Sequence, residues 1–423
     1  MAARVVEMNR ALLIAWITLG VFCVAVGGCP EGTGTGVDEV EPEFVVNDYS
    51  EGDQQNPVVV AMPSGLFLVV WESGCLHDCQ GQDGSEFGVY ARRFEPSGVP
   101  LGNEFRVNDQ VDYNQADPHA AILPDGRFAI VWATESEVST DAWDVCLKMY
   151  GSEGVELTGE IAVNTETTRT QWRPRVGLSS DGVAQVVWEH EGSQGNGVMG
   201  RRFDDYGDPL GASGLVSGSD GGVEPDLATM PDGRAVVVWS GGGWGGYGIA
   251  AQRLAEGEPV GDTIEVSQSY VAGYPMPSVA MGPGGDFVVA WSGSEDNWED
   301  EYDIRARVFS GDASPITDEL AVNTETDGLQ MASAVTMSQG GDQFLVAWES
   351  ELDNGANNEV IAKTYLLDGT VQKEDFVVNS YQAQMQDAPS ATPTHEGFLV
   401  AWQSSPETGT GYNVYVRLFP LWL

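Results

Sequence analysis

The residues able to do chemistry are few and dispersed. Cys75 and Cys79 are separated by three residues, with His77 at the centre, in the stretch ESGCLHDCQGQDGSE. Outside the cytoplasm such a pair is expected to close a local disulfide. As a metal site it would need a further ligand that the chain does not offer at a recognisable spacing. Glu295, Asp296, Asn297, Glu299 and Asp300 crowd the segment SGSEDNWEDEYD. Glu295, Asp296 and Asp300 are candidate Ca²⁺ ligands, because clustered carboxylates suit a hard cation. Their spacing matches no EF-hand, and a solvated acidic loop is the plainer reading. Trp172, Trp244, Tyr247 and Trp298 are candidate aromatic platforms for a glycan, although Tyr247 shares its place in the repeat described below with Phe87, Trp143, Tyr302 and Tyr412, which favours packing there. There is no G-x-S-x-G and no H-E-x-x-H, and the four histidines (His77, His119, His190, His395) are scattered. A glycosidase needs only two carboxylates, and 64 acidic residues supply many. A polysaccharide hydrolase or lyase therefore stays as an alternative to a binding protein, and no residue is assigned a catalytic role.

The elements that would position these residues come from a sevenfold repeat. Its clearest copy is PDGRFAIVW (Pro124–Trp132), a tight turn followed by an apolar strand ending in tryptophan. Counterparts end at Trp71, Trp188, Trp239, Trp291, Trp348 and Trp402, with successive spacings of 61, 56, 51, 52, 57 and 54 residues. Each unit carries four apolar segments, A to D; in the second copy these are Asp117–Leu123, Arg127–Trp132, Trp143–Tyr150 and Glu160–Asn164. Four short strands in a unit of this length predict a propeller blade. The fold expected is all-β: a seven-bladed β-propeller of four-stranded antiparallel blades over residues 43–423. The phase of the repeat predicts closure. Residues 43–47 (EFVVN) read as a D strand, six A-B-C-D units follow, and the chain ends on A-B-C, so the N-terminal strand would complete the last blade and remove an exposed edge.

Several positions recur with a structural look. The B strands are apolar on successive residues, as in Phe67–Trp71, which suits a strand covered on both faces; their tryptophans are expected between blades. The sixth C-strand position is basic in six copies (Arg92, Lys148, Arg201, Arg307, Lys363, Arg417) and Gln252 in the other. A cation held there needs a partner, expected from carboxylates or carbonyls of the next blade. A partial Q-x-x-P motif after the D-strand asparagine (Gln54/Pro57, Gln115/Pro118, Gln171/Pro174, Gln386/Pro389) reads as turn chemistry. Cys146, in a C strand, is expected to be a buried free thiol. A–B and C–D connections are short; B–C and D–A connections are longer and varied. Recognition residues concentrate on variable loops held by a rigid frame, so that end is the candidate binding face.

The N-terminus reads as a processing signal. Residues 1–28 hold Arg4 and Arg10, then an apolar run from Ala11 to Val26, then small residues; Met8 is an alternative start. Val26-Gly27-Gly28-Cys29 resembles the lipobox of bacterial lipoproteins, with Val where Leu is usual. The resemblance implies that Cys29 becomes the first mature residue and carries the acyl chains, which gives durable membrane anchoring. Residues 29–42 read as a flexible tether. Pro30 follows the cysteine where an Asp would signal inner-membrane retention, which leaves the outer membrane of the bacterial cell envelope as the expected location.

The repeat pattern VN…Q-x-x-P…G-x-F-x-V-x-W…Y-x-[VI]-x-x-R-x-F resembles repeats of large bacterial surface and secreted proteins. This implies a propeller-like β-fold outside the cytoplasm and supplies no catalytic residues. With a net charge of −45 and three lysines, the surface repels nucleic acid and anionic lipid. The reading reached is a monomeric, lipid-anchored binding or adhesion propeller for a protein or glycan; a structural envelope lipoprotein is the other non-enzymatic alternative.

Overall fold

The structure is a computed structural model that describes residues 42–75, 81–135, 142–167, 169–192, 195–218, 221–241, 248–269, 271, 275–294, 302–352, 357–381, 385–405 and 411–421. Its described residues form 28 strands in seven four-stranded antiparallel sheets, a seven-bladed β-propeller. Blade 1 consists of Asp53–Ala61 (A), Phe67–Gly74 (B), Phe87–Phe94 (C) and Phe105–Arg106 (D). Blades 2 to 6 repeat that meander. The blade that holds the last three strands, Gln386–Pro393, Gly397–Ser404 and Asn413–Pro420, takes Phe44–Val45 as its fourth, with Phe44 opposite Val416.

Each blade alone is too thin to have a core, so the apolar residues are shared between neighbours. The seven hydrophobic clusters each draw on two adjacent blades. One joins Leu68, Val70 and Val89 of blade 1 to Phe128, Ile130 and Trp132 of blade 2. Another joins Val46, Leu399 and Val416 of blade 7 to Phe67, Val69 and Trp71 of blade 1. The seven B-strand tryptophans lie between blades and are among the largest fully buried side chains. The A–B turns are tight. In Leu123–Arg127 the Leu123 N–H bonds the Arg127 carbonyl at 2.8 Å, and Gly126 supplies the φ of +90° that a side chain resists.

Two positions differ from the reading of the sequence. The C-strand cations meet the preceding blade, not the next one. Arg92 reaches the Val46 carbonyl (2.8 Å), Lys148 that of Val107 (3.1 Å), Arg201 Val163 (2.8 Å), Arg307 Val266 (2.9 Å), Lys363 Val322 (3.1 Å) and Arg417 Val378 (2.8 Å). The reason is the shortness of the D strands. In blade 1 regular pairing covers only Phe105–Arg106, and the carbonyl that follows is met by the next blade's cation. The Q-x-x-P motif, in turn, is strand and not turn. Gln54, Gln171, Gln330 and Gln386 are buried, and each accepts the indole N–H of its own blade's tryptophan at 3.0 Å. The turn chemistry belongs to the asparagines. Asn108, for example, accepts the Val89 N–H (2.9 Å) and donates to the Gln110 carbonyl two residues on (2.6 Å).

Candidate functional site at the loop end of the channel

The A strands surround a central cavity of about 690 Å³. In six blades the A–B register slips by one residue near the start of strand A, as between Gln55 and Val58. In all seven, a residue there has left-handed backbone: Asn56 (φ 50°), Asp117 (49°), Arg173 (50°), Glu224 (55°), Met276 (38°), Ala332 (51°) and Ala388 (51°). All seven line the cavity. Because strand A starts at the D–A connection, this ring of bulges forms the channel mouth at the loop end.

Left-handed backbone costs a residue with a Cβ about 1–2 kcal/mol, so something must hold it. For Asp117, Glu224, Asn56 and Met276 the holder is a side chain of the preceding blade. Glu72 accepts the Asp117 N–H (2.8 Å), Glu189 that of Glu224 (3.1 Å), and Gln403 that of Asn56 (2.8 Å). These acceptors all directly follow a B-strand tryptophan. Blade 4 has Ser240 at that position. There Glu224 itself takes over, accepting the Met276 N–H (3.0 Å) and the Ser240 hydroxyl (3.1 Å).

The wall is uneven in charge. On blades 2 to 4, Arg173 sits 3.2 Å from Glu189 and 3.7 Å from Glu224, and Arg175 3.4 Å from Asp226. His119 Nδ1 accepts the Val176 N–H at 3.2 Å. Burial, with Arg175 beside it, pushes this imidazole down to about 3, so it stays neutral and carries its proton on Nε2. Burial raises Asp117 despite Arg175 and Arg173. Burial and the Asp117 charge push Glu72 up to about 7. Across the channel, the corresponding positions of blades 5 to 7 are uncharged: Met276, Ser278, Ala332, Ala334, Ala388 and Ser390. Behind them Glu349 and Asp387 both accept from the Asn358 amide (2.5 and 2.9 Å), and burial with the Asp387 charge lifts Glu349 to about 7.

Of the residues singled out by sequence, Trp172 lies at this end, half-buried, directly before Arg173. Its ring meets Trp143 edge-on, centroids 4.2 Å apart at 86°. Cys75 is disulfide-bonded, while Cys79 and His77 lie outside the described residues. Cys146 is a free thiol but only partly buried by exposed area, with its pKa pushed up to about 12 by burial. Cys29, Trp244, Tyr247, Trp298, Glu295, Asp296 and Asp300 lie outside the described residues. Among the described residues, no group of three or more His, Cys, Asp or Glu is placed to hold a metal ion. The bulge ring was not identified from sequence. Its signal was the third residue of Q-x-x-P, which is Asn56, Asp117, Arg173 and Ala388 in the four full copies, between a recurring glutamine and a recurring proline.

No family model matches the chain, and no curated protein matches it. Among solved structures it is similar to a protein of unknown function from Dyadobacter fermentans DSM 18053, with TM-score 0.53 and 10% identity over 90% of this chain and 99% of that one. It is also similar to hydrazine synthase of Kuenenia stuttgartiensis, with TM-score 0.51 and 14% identity over 85% and 95%. An α-L-arabinanase of Penicillium chrysogenum in complex with arabinobiose aligns with TM-score 0.49 and 16% identity over 78% and 99%. For the first two the likeness is one of fold. At these identities it carries no chemistry to the present residues.

Proposed function

We propose that this chain is a lipid-anchored binding protein of the bacterial outer membrane that holds a protein or glycan partner at the loop end of its propeller. The observation that supports this reading is the bulge ring. Seven backbones adopt the same left-handed turn, and glycine would adopt it without strain, yet no blade uses glycine there. The glutamine two residues before it recurs in five blades and the proline after it in six, whereas this position bears Asn, Asp, Arg, Glu, Met and twice Ala. A repeated frame that presents different side chains around one opening is what a recognition surface requires. Trp172 beside Arg173 adds an aromatic edge to the charged side.

The test is binding of the full chain to a glycan array and to cross-linked envelope proteins, comparing wild type with Trp172→Ala/Arg173→Asn. Asparagine tolerates left-handed backbone, so the variant should keep its fold. Loss of binding with an unchanged denaturation midpoint supports the reading; cross-links confined to the A–B and C–D turns count against it. Cys29→Ser should abolish acyl labelling. Hydrolysis is the second reading, because Glu349 and Asp387 sit on one amide. Both already accept hydrogen bonds within the blades, which suits a staple better than a reacting pair. Release of reducing ends from a polysaccharide, lost in Asp387→Asn, would reverse that order.

A further inference from the structure

The first strand shows which end of the propeller the tether leaves. Phe44–Val45 runs antiparallel to Asn413–Pro420, with Phe44 opposite Val416 and Val45 opposite Tyr415. Going back from Phe44 toward the N-terminus therefore leads toward Pro420, the end of the A–B and C–D turns. Phe44 also packs against blade 1: its ring lies 5.7 Å from that of Phe94, and against Gly98 of the C–D turn.

That same end exposes large apolar side chains in an otherwise acidic protein. Blades 1 to 3, next in the ring from the tether, carry them in pairs on or just after the C–D turns: Val99 with Leu101, Val155 with Leu157, and Tyr206, 79% exposed, with Leu210. Blades 4 to 6 each add one.

We infer that the turn end lies against the lipid surface to which the chain is anchored, so that the bulge ring opens away from it. This rests on the lipid-anchor reading above. Thirteen residues separate Cys29 from Glu43, and an unstructured chain of that length has a typical reach of about 20 Å. A strand of eight residues is about 26 Å tall. A tether of that reach, leaving from the turn end, holds the turn end near the membrane and would have to stretch along the rim to bring the loop end there. The carboxylates interleaved in these turns, such as Asp204 and Asp208 beside Tyr206, keep the contact at headgroup level. With a net charge of −45, the surface it fits is a zwitterionic one.

The experiment uses the acylated full chain in phosphatidylcholine vesicles, with a headgroup quencher and a fluorophore on Tyr206→Cys or, at the loop end, on the exposed Asp112→Cys. The label at 206 should be quenched at least about threefold more than that at 112. Equal or reversed quenching of vesicle-bound, acylated protein overturns the orientation and leaves the anchor standing. A chain that carries no acyl groups by intact mass overturns the anchor and the orientation with it.

Discussion

Glu72→Gln should make the protein more stable at pH 8 and leave it nearly unchanged at pH 4. Glu72 is only 3% exposed, and its two oxygens accept the Gln55 amide and the Asp117 N–H, both at 2.8 Å. Burial first, then the Asp117 charge, lifts its pKa from 4.5 to about 7. Between those values the folded state holds a proton that the unfolded chain has released, so stability falls as pH rises through this window and is flat above it. A rise of that size corresponds to about 3 kcal/mol. Glutamine has no charge to titrate, and the hydrogen bonds to the carboxylate are already contained in the raised pKa. Relative to its effect at pH 4, the gain at pH 8 should be about 3 kcal/mol. Blade 7 already uses this solution: Gln403 holds the Asn56 N–H from the equivalent position. The assay is equilibrium denaturation of wild type and variant at pH 4, 6 and 8. The reasoning fails if the variant is destabilised equally at all three, since Glu72 would then act as an ionised staple whose charge helps the fold.

The remaining expectations concern the frame and the acidic loop. Gln171→Leu should cost about 1–3 kcal/mol, because it strips the acceptor from the buried Trp188 indole N–H; a smaller loss in a denaturation series would mean that the indole finds another partner. Lys148→Met should cost more than Lys148→Gln, because the fully buried amine satisfies the Val107 carbonyl and glutamine keeps a donor at that position. Equal losses would assign the stabilisation to charge rather than to hydrogen bonding. Deleting residues 43–47 should lower the melting temperature of the whole domain, because it removes Val46 from the core and with it the carbonyl that Arg92 binds. A calcium site at Glu295, Asp296 and Asp300 predicts a higher melting temperature with Ca²⁺, reversed by chelator; no shift removes it.

The propeller was legible because its signals are repeated and local. Tryptophans at near-equal spacing, runs of apolar residues in strand B and short Gly-bearing turns each report burial or backbone shape from a few adjacent residues. The direction of the Lys148 and Arg92 contacts was not legible, since it depends on which side of a blade the D-strand carbonyls are left unpaired. The channel mouth escaped for a related reason. Asp117, Arg173 and Glu224 look unremarkable in sequence, and only the register slip before each proline turns them onto one opening. Gln54 and its counterparts were read as turn residues because their indole partners lie 17 positions away or thereabouts.

The handing of a D-strand carbonyl to a cation of the following blade, at every seam except that before Gln252, also sets an order of completion. Val107 waits for Lys148, Val163 for Arg201, and so on along the chain as it is made. Arg92 alone reaches back to a strand, at Val46, whose own partner is synthesised last: Asn47 accepts the N–H of Val414, 367 residues away. Six seams can therefore be sealed by neighbours that emerge in succession, while the seventh needs both termini at once. Closing so long a loop carries the largest entropy cost in the molecule, and the seam between the last blade and the first should be where refolding is slowest and where unfolding starts.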